Sequence, residues 1–178
     1  MRCSLVIVGV LALGVCSAAA PLQTSASLNP VIGTWKQNME KSTYIPGPAP
    51  LKGTTSVRQY AAGDDGSIVA VTMNINVEGI PSLGAISAAN YDGREYVQHT
   101  LATLATSLRS HIGPQITRTI SYTALDRNTV EIVQRQDGEI VAKSTRTISR
   151  DGKTMTDSSD FTNAQGQQVK NVLVFEKQ

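Results

Sequence analysis

Cysteine is nearly absent from this chain of 178 residues, which has only Cys3 and Cys16. Both fall in a stretch with the form of a cleavable leader. A chain processed beyond Cys16 has no thiol, which excludes disulfides, a thiolate nucleophile and a zinc-thiolate centre. Aromatic residues make up 4% of the sequence, too few for a base-stacking platform, a sugar-binding platform or the girdles of an outer-membrane barrel. Charge is close to balanced, with 16 Lys and Arg against 14 Asp and Glu. That balance lacks the electrostatic footprint of a nucleic-acid binder and the basic run that holds an acidic membrane. The two histidines, His99 and His111, bracket a predicted helix instead of sharing one face as a metal pair requires. There is no Gly-x-Ser-x-Gly, no His-Glu-x-x-His and no phosphate-cradling loop. We therefore expect no catalytic site, no metal and no cofactor.

What is present begins with an address. Met1-Arg2, the apolar run Ser4 to Val15 and the small residues Ser17 to Ala20 have the layout of a secretory signal peptide, too short to span a bilayer. The expected organisation is a signal peptide over 1–20, a Ser/Thr-rich leader over 21–29 and one domain over 30–178, a length that supports a single core. The destination is the periplasm or the medium, with the mature chain a monomer and free of a transmembrane segment. Leu13-Gly14-Val15-Cys16 also has the outline of a lipobox, but Val15 stands where a small residue belongs, so cleavage near Ala18 to Ala20 is the favoured reading.

The domain is punctuated regularly. Asp65-Gly66, Glu78-Gly79, Asp92-Gly93, Asp137-Gly138, Asp151-Gly152 and Gln165-Gly166 are hairpin-turn signals, spaced within their two groups by 13 or 14 residues. Each repeat is one strand of about ten residues plus a turn, a length that suits tilted barrel staves. The fold class is all-β, an up-and-down antiparallel barrel of about eight to ten strands. Val69, Val71, Met73, Ile75 and Val77 alternate with Thr72, Asn74 and Asn76, so the valine face is expected to be buried and the Thr/Asn face wet. Leu101, Leu104, Ala105, Leu108 and Ile112 break the pattern with helical spacing, Thr100 capping the start and Gly113-Pro114 the end. One helix of about three turns is expected there, inserted in the meander. Pro46-Gly47-Pro48-Ala49-Pro50 is a rigid loop that excludes helix and central strand.

Gly33-Thr34-Trp35-Lys36 on the first strand resembles the Gly-x-Trp opening of lipocalins and fatty-acid-binding proteins, both calycin barrels. With Lys41-Ser42, the proline loop, Asp151 to Thr156 and the ending Asn171 to Gln178, the chain is similar to a family of small secreted bacterial lipocalin-like proteins of uncharacterised activity. The resemblance implies a barrel that binds a small apolar or amphiphilic ligand in its interior. The Arg-x-Tyr pair that holds a carboxylate in fatty-acid-binding proteins is replaced here by Leu173 and Phe175.

Candidate ligand contacts follow from inward-facing polar positions. Arg118 shares a face with Ile116, Ile120 and Tyr122, and Arg146 shares one with Ile140, Ala142 and Ile148. A guanidinium in such a row must find an anion, either a ligand or a partner such as Glu131. Tyr96, Tyr122 and Trp35 complete the candidate set, with Trp35 so early in its strand that it also suits a plug at the barrel floor. Asp157 and Asp160 are expected to face water or guard an edge. The rival reading is a barrel filled by its own side chains, serving as an envelope interaction module.

Overall fold

Ten strands and one short helix are present in the computed structural model, which describes residues 29–47, 49–108, 116–162 and 166–178. The strands are β1 (Gly33–Thr43), β2 (Thr55–Ala62), β3 (Ile68–Ile75), β4 (Pro81–Ala89), β5 (Tyr96–Thr100), β6 (Arg118–Ala124), β7 (Thr129–Gln136), β8 (Glu139–Ile148), β9 (Thr154–Thr162) and β10 (Gln168–Lys177), with α1 (Leu101–Leu108) between β5 and β6. Each strand pairs antiparallel with its neighbours in sequence, and β1 pairs with β10 to close the barrel. This is the all-β, up-and-down barrel expected from the turn spacing, at ten strands. The expected signal peptide, the leader up to residue 28, Pro48, His111, Ile112, the expected Gly113-Pro114 stop and Gln165 lie outside the described residues.

The turn chemistry explains the closure. Gln136 pairs with Glu139, so Asp137-Gly138 is a two-residue hairpin loop, and both residues have positive φ, 52° and 88°. That is the primed turn whose twist matches the strands it joins. β1 opens on a second conformational requirement: Gly33 has φ 131°, and a Cβ there would sit 2.7 Å from Lys177 Cε. The glycine of the Gly-x-Trp stretch is thus set by backbone and by β10. Gly33→Ala should lose about 1–3 kcal/mol in urea unfolding, the usual cost of a side chain held in a glycine-only region.

Strand direction gives the barrel two different ends. The start of β1 and the end of β10 meet at a floor built from Val31, Trp35, Tyr60, Ile68, Ile148, Met155 and Phe175, a cluster from which water is excluded. The end of β1, the starts of β2 and β4 and the end of β5 define the opposite, mouth end. The loop after β1 is tied to β10 there, Ile45 N–H donating to Asn171 Oδ1 at 3.1 Å and Lys170 N–H to the Ile45 carbonyl at 2.7 Å. α1 packs on β4 and β5 at this same end.

Three details differ from the sequence reading. On β3 the faces are reversed: Ala70, Thr72 and Asn74 line the interior, leaving Val69, Val71, Met73 and Ile75 on the outer wall. The reason is register, since Thr72 is paired with Arg58 and Ala70 with Tyr60, and cross-strand partners share a face. On β8 the pairing shifts between Gln134–Ala142 and Arg135–Ile140. That bulge carries Ile140 outward, 57% exposed, so it does not share the face of Arg146. In α1, Leu101 and Ala105 of the anticipated apolar stripe are exposed and Leu104 is half-buried, while Thr103 is buried. Thr103 joins Thr100 in reciprocal capping, with Thr100 N–H donating to Thr103 Oγ1 at 2.7 Å and Thr103 N–H to Thr100 Oγ1 at 3.3 Å.

Candidate ligand-binding site

Between the floor and the mouth lies a cavity of about 320 Å³, with both strand-facing polar groups and small apolar ones on its wall. That volume is at the small end of the range of about 300–1,000 Å³ typical of ligand sites. The apolar part comes from Ala70, Ala85, Ile120, Ile132, Ala142 and Leu173, the polar part from residues such as Thr72, Asn74, Ser87, Gln98, Gln134 and Ser144. Several inward rows deliver both kinds, Ala70 with Thr72 on β3, Ala85 with Ser87 on β4 and Ile132 with Gln134 on β7.

The deep end of the cavity carries a buried charge cluster. Arg146 on β8 and Asp157 on β9 are direct cross-strand partners. Their pairing is bidentate, Arg146 Nε donating to Asp157 Oδ1 at 2.9 Å and Nη2 to Oδ2 at 3.1 Å. Arg58 reaches across from β2 and donates Nη1 to Asp157 Oδ2. Arg146 and Asp157 are 4% and 5% exposed, whereas the Arg58 side chain keeps 15% of its surface accessible, facing the cavity it lines. Both guanidiniums lie over aromatic rings. Arg58 Cζ lies 4.2 Å from the Phe175 ring centroid, and Arg146 Cζ lies 4.9 Å from that of Tyr60 and 5.9 Å from that of Tyr122.

Electrostatics decide the character of this end. Burial, the largest influence on Asp157, pushes its carboxyl upward, but Arg146 and Arg58 together outweigh burial and hold it down at about 2. The carboxylate is therefore ionised, and two guanidiniums share it. One positive charge on the cavity wall is left without a carboxylate among the described residues. Burial raises the phenols of Tyr91 and Tyr122 above their ordinary range, so both stand as neutral rings beside the cluster, 5.1 Å apart by centroid.

The residues expected from sequence divide between several places. Arg146 and Tyr122 line the cavity. The partner of Arg146 is Asp157 and not Glu131, which pairs on the outside with Lys143 at 2.9 Å. Arg118 faces inward near the mouth, its Nη2 donating to Gln134 Oε1 at 3.4 Å, but it is not part of the cavity wall. Tyr96 packs against a buried cluster of Ala89, Ile120, Tyr122, Val130 and Ile132 and donates its hydroxyl to Asp92 Oδ2 at 2.9 Å, and it is not among the residues that line the cavity. Trp35 is fully buried in the floor and donates Nε1–H to the Val31 carbonyl at 2.7 Å, so it walls no ligand space.

Two residues of the candidate site escaped the sequence reading. Arg58 carries the same inward alternation as Tyr60. Asp157, expected to face water, is buried because it alternates with Met155, a floor residue. The signal for it was available: residues 146 and 157 stand equally far from the Asp151-Gly152 turn, so the hairpin must bring them opposite. Asp160 does face solvent, 3.5 Å from Lys170 Nζ. His99 is exposed on β5, and among the described residues no group of His, Cys, Asp and Glu converges to hold a metal. No helix among them is long and apolar enough to cross a membrane.

In comparison with known proteins, the chain matches no family profile and no curated protein sequence. It is similar in structure to Rv2717c from M. tuberculosis, with a TM-score of 0.51 and 13% sequence identity over 90% of this chain and 99% of that one. The likeness is one of fold. The barrel architecture recurs along nearly the full length of both chains, while the interior chemistry has to be argued from the residues of this one.

Proposed function

We propose that the protein is a secreted or periplasmic calycin-type barrel of the lipocalin-like family that binds a small amphiphilic molecule in its interior, and that it is a carrier or sensor and not an enzyme. The observation that carries this reading is the unmatched positive charge of Arg58, Arg146 and Asp157 on the wall of a 320 Å³ cavity. A buried ionic triad is costly to hold and is often replaceable by apolar side chains without loss of stability. An anionic group on the ligand, paired with the accessible edge of Arg58, neutralises the excess charge in a low-dielectric site where such a pair is strong. The aliphatic patches beside it take the rest of the molecule. The volume limits that remainder to a short chain or a single ring system, so a long-chain lipid is a poor fit.

Native mass spectrometry of protein purified gently from its host's envelope tests the proposal. A mass above that of the processed chain, lost on organic extraction, is the expected result. In titrations of the emptied protein, octanoate should bind, and Arg58→Met, which leaves the Arg146–Asp157 pair intact, should weaken it at least about tenfold, the loss of one charged hydrogen bond. An unliganded spectrum together with no octanoate binding overturns the reading and favours the filled-barrel interaction module. N-terminal sequencing of the same sample tells cleavage near Ala18 to Ala20 from lipidation at Cys16.

A further inference from the structure

Arg118 has no role in the cluster just described, yet it is an inward arginine at the opposite end of the same interior. It stands on β6 in one row with Ile120 and Tyr122, both on the cavity wall. Four residue steps of about 3.3 Å each take the strand from it to Tyr122, roughly 13 Å. Thr119, the next residue, donates its hydroxyl to Glu95 on the outside, which fixes the inward sense of Arg118 by alternation. Its charge is not answered by a carboxylate among the described residues. The only side-chain hydrogen bond it makes among the described residues is the long one to Gln134 Oε1, and its Nε is buried with no partner. A guanidinium so placed costs free energy that the fold itself does not return.

Gln134 connects the two ends. It lines the cavity and is the residue that Arg118 touches. The interior therefore has an excess positive charge at the floor, an aliphatic middle on Ile120 and Ile132, and a second positive group toward the mouth. We infer that the ligand class is a linear molecule with an anionic group at each end, an α,ω-dicarboxylate or a comparable dianion, its inner end on Arg58 and Arg146 and its outer end on Arg118. This deepens the proposed function and rests on it. It also gives the barrel a length gauge, because both ends are satisfied only when the chain between them spans Ile120.

Octanoate and suberate, which share a chain length and differ in the second carboxylate, separate the two claims by calorimetric titration at low ionic strength. Suberate should bind at least tenfold tighter than octanoate. Arg118→Met should abolish that preference, and Arg118→Lys, which keeps the charge, should retain most of it. Thermal unfolding of both variants shows whether the barrel is intact. Equal affinities for the two acids in the unmodified protein, or a preference that survives in folded Arg118→Met, overturns the dianion inference while leaving the cavity reading in place. Failure of both acids to bind overturns the two together.

Discussion

Asp157→Asn should destabilise the protein by about 3–5 kcal/mol in urea unfolding, the cost of leaving buried guanidiniums without their counter-ion. The side chain is almost fully enclosed, and its two oxygens accept three hydrogen bonds from Arg146 and Arg58. An amide of the same shape accepts on one side only and turns a donor toward Arg58 or Arg146. The same linkage operates in acid. The Asp157 carboxyl titrates at about 2 in the folded protein and near 3.9 when unfolded. A depressed folded value means that the stabilisation is complete above the unfolded pKa and is lost as pH falls through about 4 toward 2, an effect of about 2–3 kcal/mol. Urea midpoints measured between pH 7 and pH 2 should show that acid limb, and it should be absent from Asp157→Asn. A midpoint of Asp157→Asn within about 0.5 kcal/mol of the parent would mean that the cluster is solvated and not a closed triad.

The triad also allows stability and binding to be separated. Replacing all three residues together, Arg58→Met, Arg146→Met and Asp157→Leu, removes the charges without orphaning any of them. Swaps of this kind are commonly neutral or stabilising by about 1–4 kcal/mol. If the triple variant is as stable as the parent and has lost octanoate, the ions serve the ligand and not the fold. If it is stable and binds octanoate as before, the anion reading fails.

How much of this was legible in the sequence depended on whether the information was local. Turns are set by two or three residues, so Asp137-Gly138 and its counterparts announced the hairpins, and the strand count followed. Which face of a strand points inward is not local. On β3 the Val row and the Thr/Asn row have the same period, and the choice is made by pairing with β2, where Arg58 and Tyr60 must reach the interior. The usual rule that apolar residues go inside fails there because the middle of this barrel is a polar cavity and not a packed core. On β8 a single bulged residue moved Ile140 to the outer wall, a shift that composition does not announce. The candidate site was half visible. Arg146 and Tyr122 stood out as inward polar residues, but Arg58 and Asp157 become site residues only when β2 and β9 meet across the barrel.

Trp35 is where the sequence reading admitted two roles, and a substitution distinguishes them. Its ring is fully buried among Val31, Met155 and Phe175, with Lys177 Nζ 5.1 Å from the ring centroid, and the indole N–H caps the carbonyl of Val31. Trp35→Ala opens a void at the floor that closing strands β1 and β10 cannot fill without moving, and should cost about 3–5 kcal/mol. Trp35→Phe keeps most of the apolar volume and leaves the Val31 carbonyl without its donor, so its cost should be nearer 1–3 kcal/mol. Trp35 is the cross-strand partner of Arg58 but is not itself among the residues that line the cavity. Folded Trp35→Phe should therefore bind octanoate within about twofold of the parent, a difference under 0.5 kcal/mol. A tenfold loss in that variant would return the tryptophan to the binding site. Retained affinity with a lowered urea midpoint assigns it to the floor, where it holds the two closing strands together beneath the charged end of the cavity.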